Sequence, residues 1–305
     1  MTTTPVEFLQ HRHIDKARWD ACVANAANSL LYATSTYLDA MSPGWHALIQ
    51  GHYEAVMPVT WRSKLGVSYL CQPAFTQQLG VFSKSANPPQ PLLERFLLAI
   101  SHRYPLTEIF LNHQNQVPNA CSTHNNFVLN LSASYTQTAG SYKSDLQKNL
   151  ARAQKFNLQY LVSQAVEEAL ELYQQTYGQR MRIRPQDYRA FTQLCTNLAT
   201  QQQAFVRKVQ LPSGELLAIG LFLTDGRRIY NIASTTLPNG RTLEANHVLF
   251  DRLIHEFSGQ PLLLDFEGSD LPGVARFYQK FGAENQPYFF WKSNRLPAVM
   301  RWWKR

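Results

Sequence analysis

The chain is poor in the residues that advertise chemistry. It holds four cysteines in 305 residues, Cys22, Cys71, Cys121 and Cys195, and no Cys-x-x-Cys pair. That spacing argues against a zinc ribbon or a disulfide scaffold and points to reduced structural thiols in a cytoplasmic protein. The nine histidines include His11-x-His13 but no HExxH or other ligand spacing, so no metal is assigned. GxSxG, P-loop and dinucleotide fingerprints are missing. No window of about 18 residues is apolar and free of charge, which argues against a membrane-spanning helix. The opening MTTTPVEFLQHRHID lacks the apolar core of a signal peptide. What the chain does have is 45% hydrophobic and 16% charged residues, the balance of a folded globular protein.

At 305 residues the chain exceeds one typical core, so two domains are expected. The net charge of +8 is unevenly spread. Residues 1–138 carry 8 Lys+Arg against 7 Asp+Glu, while residues 139–305 carry 21 against 14. The division is set at 138/139, in the small polar stretch Ser132–Gly140, SASYTQTAG, which reads as a boundary. The basic second part suits a phosphate-bearing ligand such as coenzyme A, a nucleotide-linked precursor or tRNA, and equally suits a soluble basic surface.

Before that boundary the pattern is mixed. Helices are expected at Asp15–Ala27, from Thr34 or Ser35 to Met41, and at Pro91–Arg103, with strands at Trp45–Gln50, Tyr53–Thr60, Val67–Cys71, Glu108–Asn112 and Phe127–Leu131. Beyond it, Ser141–Phe156 reads as a helix whose Lys148, Arg152 and Lys155 form a basic stripe at i, i+4 and i+7. Helices Ala165–Tyr177 and Pro185–Thr200 follow, then strands Ala204–Gln210, Glu215–Leu223 and Arg227–Thr235, helix Leu243–Phe257 and a last strand Pro287–Lys292. Arg180, Arg182 and Arg184 alternate before Pro185, as an extended anion clamp would.

The most informative segment is Pro261–Glu284, PLLLDFEGSDLPGVARFYQKFGAE. Leu262, Leu263, Leu264 and Phe266 suit a strand covered on both faces. Glu267-Gly268-Ser269 breaks it, at a strand carboxyl end where open α/β sheets bind ligands. Asp270 is the expected N-cap and Pro272 falls in the first helical turn. Val274, Phe277, Tyr278 and Phe281 form one helical stripe, and Gly282 can take the left-handed conformation that stops it. Asp265, inside the apolar run, needs a buried partner, for which Arg276 or a backbone group is expected.

The spacing Tyr278-Gln-Lys-Phe-Gly282 resembles the Tyr-x-x-x-Gly segment of GNAT-type acyltransferases. Ser144–Leu158 is similar to the Lys/Arg-rich helix opening the second lobe of Fem-like proteins, which are tandem-GNAT transferases. Glu215–Leu223 followed by Arg228–Ser234 resembles their central hairpin, and Leu264–Gly282 their last strand–helix unit. The motifs cover residues 141–292; the first half is similar in order of elements alone. The resemblance implies an α/β (α+β) fold of two tandem GNAT-like domains, each a mixed, mostly antiparallel sheet flanked by helices, the first degenerate. It implies an N-acyltransferase that moves an acyl or aminoacyl group from acetyl-CoA, another acyl-CoA or a related activated donor to the amine of a small molecule or peptide. No DNA and no integral membrane segment are implied. Tyr278 would assist the leaving group and Glu267 would position or deprotonate the amine. Asn239, Gly240 and Arg241 would hold donor phosphate, and Ser269, Arg152 and Lys148 would meet substrate. The family's Arg/Gln-x-x-Gly-x-Gly/Ala donor loop is replaced by Leu237-Pro-Asn-Gly-Arg-Thr-Leu-Glu-Ala-Asn246. That departure keeps two other readings open: aminoacyl-tRNA-dependent transfer to a cell-wall precursor, and a GNAT-fold binding module without catalysis.

Overall fold

The computed structural model describes residues 4–84, 89–117, 121–268 and 270–297. The chain divides into two compact units, residues 1–124 with 287–305, and residues 125–286. Where the sequence suggests a division at 138/139, the second unit opens at 125, and the last segment returns to the first.

In the first unit, strands β1 (Val6–Leu9), β2 (His46–Gln50), β3 (Ala55–Val59) and β6 (Phe82–Ser83) form one sheet in that order. Strands β4 (Trp61–Lys64), β5 (Val67–Cys71), β7 (Leu106–Leu111) and β8 (Ser122–His124) belong to another, with Tyr288–Asn294 lying between β7 and β8. Helices α1 (Lys16–Asn25), α2 (Ser35–Met41) and α3 (Gln90–Arg103) complete the unit. Leu93, Phe96, Leu97 and Ile100 put one stripe of α3 into a core with Met57, Val59, Leu70, Ile109 and Leu111.

The second unit holds one seven-stranded sheet. Its strands are β9 (Phe127–Asn130), β10 (Gln159–Ser163), β11 (Ala204–Gln210), β12 (Leu216–Thr224), β13 (Arg228–Thr236), β14 (Leu263–Asp265) and β15 (Glu284–Asn285), in the order β10-β11-β12-β13-β14-β9-β15. Asp225 makes the turn into β13 by accepting the N–H groups of Arg227 (2.9 Å) and Arg228 (2.8 Å), with Gly226 at φ +83°. The helices are α4 (Tyr135–Gly140), α5 (Ser144–Ala153), α6 (Val166–Met181), α7 (Pro185–Thr200), α8 (Pro238–Thr242), α9 (Ala245–Phe257) and α10 (Pro272–Gln279). Phe250, Leu253 and Ile254 of α9 pack with Leu264, Phe266 and Phe281 in the core. The edge strand β10 was not legible as a strand.

Four local expectations change. Ser132–Gly140 is not a linker: α4 forms there, closed by a reciprocal Ser134–Gln137 capping box. Arg180 lies inside α6, Arg182 takes a left-handed φ of +50°, and Arg184 pairs with Asp187 at 2.7 Å, so the three do not form an extended clamp. Leu271, not Asp270, occupies the N-cap of α10; the Asp270 carboxylate accepts the Asn125 N–H at 2.9 Å. Asp265 pairs with Arg228 and not with Arg276, whose Nε donates to the Pro272 carbonyl; the expected backbone partner is also present, the Glu267 N–H.

The Arg228–Asp265 pair is 2.5 Å apart, with side chains 7% and 1% exposed. Such a pair survives burial only when its remaining hydrogen-bonding capacity is met. Here Asp265 also accepts from the Asn126 side chain (3.2 Å) and the Glu267 N–H (2.9 Å), while both terminal nitrogens of Arg228 donate to Gln286 (3.2 Å). The network joins β13, β14 and the segments that flank β9 and β15. Asp265→Ala leaves the guanidinium buried without its counter-charge and should destabilise the chain by about 3–5 kcal/mol in denaturant unfolding. Replacing both partners together with apolar residues should cost less than that single substitution.

Candidate active site

The parallel pairing of β13 with β14 is short. It runs from Arg228 opposite Leu263 to Tyr230 opposite Asp265, and β13 then continues to Thr236 beside β12, past the end of β14. Just past the last pair, Asn231 and Ala233 face Phe222 and Leu221 of β12, so Ile232 is an extra residue in β13. Such a bulge bends its strand and interrupts the ladder. β14 ends at Asp265, and the chain turns away through two left-handed residues, Glu267 (φ +62°) and Gly268 (φ +65°). A side chain at positive φ is strained by roughly 1–3 kcal/mol. The half-buried Glu267 is held there by its N–H bond to Asp265.

Tyr278 comes to the same place from α10. Its ring stacks on Phe266 at 4.6 Å and 28°, and Asn231, beside the bulge, has its amide within hydrogen-bonding reach of the phenol oxygen. The Ser234 hydroxyl donates to the Asn231 carbonyl oxygen, which orients that amide. Helix α6 adds Tyr173 and Tyr177, ring centroids 5.2 Å apart at 56°, and α7 adds the buried Tyr188. Burial, then Tyr173, Glu267 and Tyr177, push the Tyr278 phenol well above its ordinary range. Burial, then Tyr188, Tyr177 and Glu267, push Tyr173 up to about 12. These phenols therefore stay neutral at physiological pH and keep their protons available. Tyr188 also lines a groove of about 500 Å³ between α6 and α7, together with Glu167, Glu171, Gln174 and Arg189.

The other expected site residues lie elsewhere in the second unit. Asn239, Gly240 and Arg241 form a short helix, α8, where a glycine loop was sought. A Cβ on Gly240 would come within 2.1 Å of the Leu217 carbonyl oxygen, so this glycine allows α8 to approach β12. Asn239 donates to Glu215 at 2.8 Å, and Arg241 is exposed. The N-cap of α9 is Glu244 at φ +60°, whose carboxylate pairs with Arg152 and accepts from His247 Nδ1 at 2.8 Å. Arg152 is thus engaged by the protein itself, whereas Lys148 and Lys155 are exposed. A coenzyme A pyrophosphate needs free backbone donors and positive potential at this helix start. The residues present do not fit it: the Glu244 carboxylate occupies the N-cap, and the preceding segment is helical. Ser269 and the tail Trp302-Trp303-Lys304-Arg305 lie outside the described residues.

Residues 141–273 match the model of the GNAT acetyltransferase domain. The second unit therefore carries a GNAT acyltransferase domain. Over most of the chain the fold is Fem-like. A crystal structure of FemX superimposes with a TM-score of 0.64 at 12% identity, covering 92% of this chain and 96% of that one. The C-terminal domain of a protein from Agrobacterium fabrum described as a lysylphosphatidylglycerol synthetase gives 0.55 at 10% identity, covering 92% of each chain. L-PGS from Bacillus licheniformis gives 0.51 at 10% identity, with 86% and 88% covered. No curated protein matches the chain in sequence. GNAT domains generally take acyl-CoA donors, which makes the carboxylate at the start of α9 a departure within the superfamily. No helix among the described residues is long and apolar enough to cross a membrane, and none of them group as a metal site.

Sequence reasoning missed Asn231, Tyr173, Tyr177 and Tyr188. The one available signal was Tyr173 and Tyr177 at i and i+4 on a helix.

The Glu244–His247 contact has a pH signature. Burial is the first cause lowering the His247 pKa below 6.5, so the imidazole is neutral in the fold, with Nδ1–H donating to Glu244. A depressed histidine pKa means the unfolded chain binds more protons, so this contribution is complete above about pH 6.5 and is lost as pH falls below it. Thermal unfolding should show this part of the stability falling from about pH 7.5 to 5.5, and His247→Gln should flatten that fall. The buried Asp251, its pKa raised by burial, acts with the opposite sign, so the wild-type-minus-variant difference is the relevant quantity.

Proposed function

We propose that the second unit transfers an acyl or aminoacyl group to an amine held between β13 and β14. The observation that carries this reading is a neutral tyrosine, Tyr278, and a carboxylate, Glu267, meeting at a strand carboxyl end beside a backbone bulge. The amine nitrogen attacks the acyl carbon of an activated donor, and the bond from that carbon to the leaving atom breaks. The proton shed by the nitrogen passes to Glu267, directly or through water, and the leaving atom takes the phenolic proton of Tyr278. Because the Asn231 amide can donate to that phenol oxygen, its own hydrogen is free to point elsewhere. A cytoplasmic setting agrees with the four free thiols.

Two observations favour an aminoacyl-tRNA donor over coenzyme A: the carboxylate at the start of α9, and the exposed Lys148 of α5 with the exposed Lys155 in the 3-10 turn that follows it. The acceptor is a small-molecule or peptide amine.

With donors drawn from acyl-coenzymes A and aminoacyl-tRNAs, Tyr278→Phe and Glu267→Gln should each lower kcat/KM by about 10²-fold, with the unfolding midpoint unchanged. Wild-type rates in both variants would remove the chemistry from this crevice. Separately, neutralising Lys148 and Lys155 should weaken tRNA binding about tenfold and flatten its salt dependence. If the wild-type chain shows no tRNA affinity at low salt, the donor is of another kind.

A further inference from the structure

Helices α5 and α9 are joined by side chains at two points. Arg152 pairs with Glu244, and the side chains of Asn149 and His247 meet at 3.3 Å. Between the same two helices lies a cavity of about 390 Å³. The way α5 ends shapes it. The chain leaves Ala153 through a 3-10 turn, Gln154–Phe156, and then Asn157, which is left-handed at φ +51°. Gln154 and Asn157 line the cavity from this turn, and Asp251 and Arg252 line it from α9. Leu150, Leu158 and Val248, all half-buried, form its apolar wall.

The lining carries one charge of each sign, at different depths. Asp251 is only 8% exposed. One of its oxygens accepts from the Tyr135 hydroxyl at 2.8 Å, and Tyr142 is the other phenol that acts on it. Burial pushes both phenols up, so they are neutral donors. Among the described residues no cation forms an ion pair with this carboxylate, whereas Asp265 in the same unit is locked to Arg228. A buried carboxylate without a counter-charge is costly. Arg252, the next residue, is exposed, and its guanidinium makes no ion pair or hydrogen bond among the described residues. The side-chain amides of Gln154 and Asn157 are likewise without a partner among them.

A plain anion would meet Asp251 in this cavity, and a plain cation would have to pass Arg252. A molecule with both charges meets neither conflict. Asp251 and Arg252 are consecutive, so the two charges of such a ligand must be close together, as they are on an α-amino acid. We propose that the cavity between α5 and α9 binds a free aliphatic α-amino acid as its zwitterion. The ammonium pairs with Asp251 at depth and supplies the counter-charge that the fold does not. The carboxylate pairs with Arg252 at the mouth, where the Gln154 and Asn157 amides can also donate. The aliphatic side chain lies against Leu150, Leu158 and Val248. The ligand is held and not transformed. Its free carboxylate is part of what is recognised, so an aminoacyl ester is a poor fit. The site shares no residue with the crevice at β13 and β14 and does not rest on the transfer reading.

The test is titration calorimetry on the full chain, with no donor present. The probes are L-leucine, L-leucinamide, which lacks the carboxylate, and isocaproate, which lacks the ammonium. L-Leucine should bind at least about tenfold tighter than either analogue, because each analogue loses one charge-assisted contact. Asp251→Asn keeps an acceptor for Tyr135 and should weaken L-leucine about tenfold without weakening isocaproate. Arg252→Gln, at an exposed position, should weaken L-leucine about tenfold without weakening L-leucinamide. Equal affinities for the three probes, or no L-leucine binding in the millimolar range, would overturn the site. So would an Asp251→Asn variant that binds L-leucine as tightly as the wild type, because Asp251 would then be a buried acid that meets its cost by holding a proton. If Asp251→Asn does not fold, the two Arg252→Gln titrations decide alone. No rate enters the measurement, so failure here is separate from failure of transfer, which the Tyr278→Phe rate reports on its own.

Discussion

Everything at the candidate site depends on two strands that run together for three residues and then part. β13 and β14 are parallel from Arg228 and Leu263 to Tyr230 and Asp265. At the end of that short ladder a buried guanidinium and carboxylate are locked together, with Gln286, Asn126 and the Glu267 N–H completing their hydrogen bonds. The lock fixes where β14 stops. The extra residue Ile232 bends β13 just beyond it. The two strands therefore part at a fixed place, because the ion pair beside it cannot shift without exposing a buried charge.

Much of this was legible from residue patterns. The meander, the helices at Pro185–Thr200 and Pro91–Arg103, and the strand–turn–helix around Asp265 and Tyr278 follow from periodicity, proline at helix starts and glycine at stops. What could not be read was the pairing of distant residues. Arg276 is closer in sequence to Asp265, but Arg228 sits on the adjacent strand at the same level. The bulge depends on how β12 and β13 register, and no single strand sequence encodes that. Ser132–Gly140 looked like a boundary because its residues are small and polar, yet Ser134 and Gln137 close a capping box, and caps and turns draw on the same residues. The tyrosines of α6 were hidden because a helical pair of aromatics is as common in cores as in sites.

The basic character of the second half also takes on a different meaning. Arg152 is tied to Glu244, Lys208 to Glu168, Arg207 to Glu256 and Lys280 to Asp145. Those cations serve internal pairs and are not free to receive an anion. The residual positive field comes from residues such as Lys148, Lys155 and Arg241, on the exposed surface.

The strand Tyr288–Asn294 lies between β7 and β8 in the middle of a sheet, although it is built from nearly the last described residues. During synthesis the first unit must wait with a gap in that sheet while more than 160 residues of the second unit emerge and fold. The edges of β7 and β8 remain unpaired throughout that interval, and an open edge invites pairing with other chains. Chaperone dependence should therefore track the birth of the first unit, and a ribosome stalled before residue 287 would hold a finished second unit beside an unfinished first one.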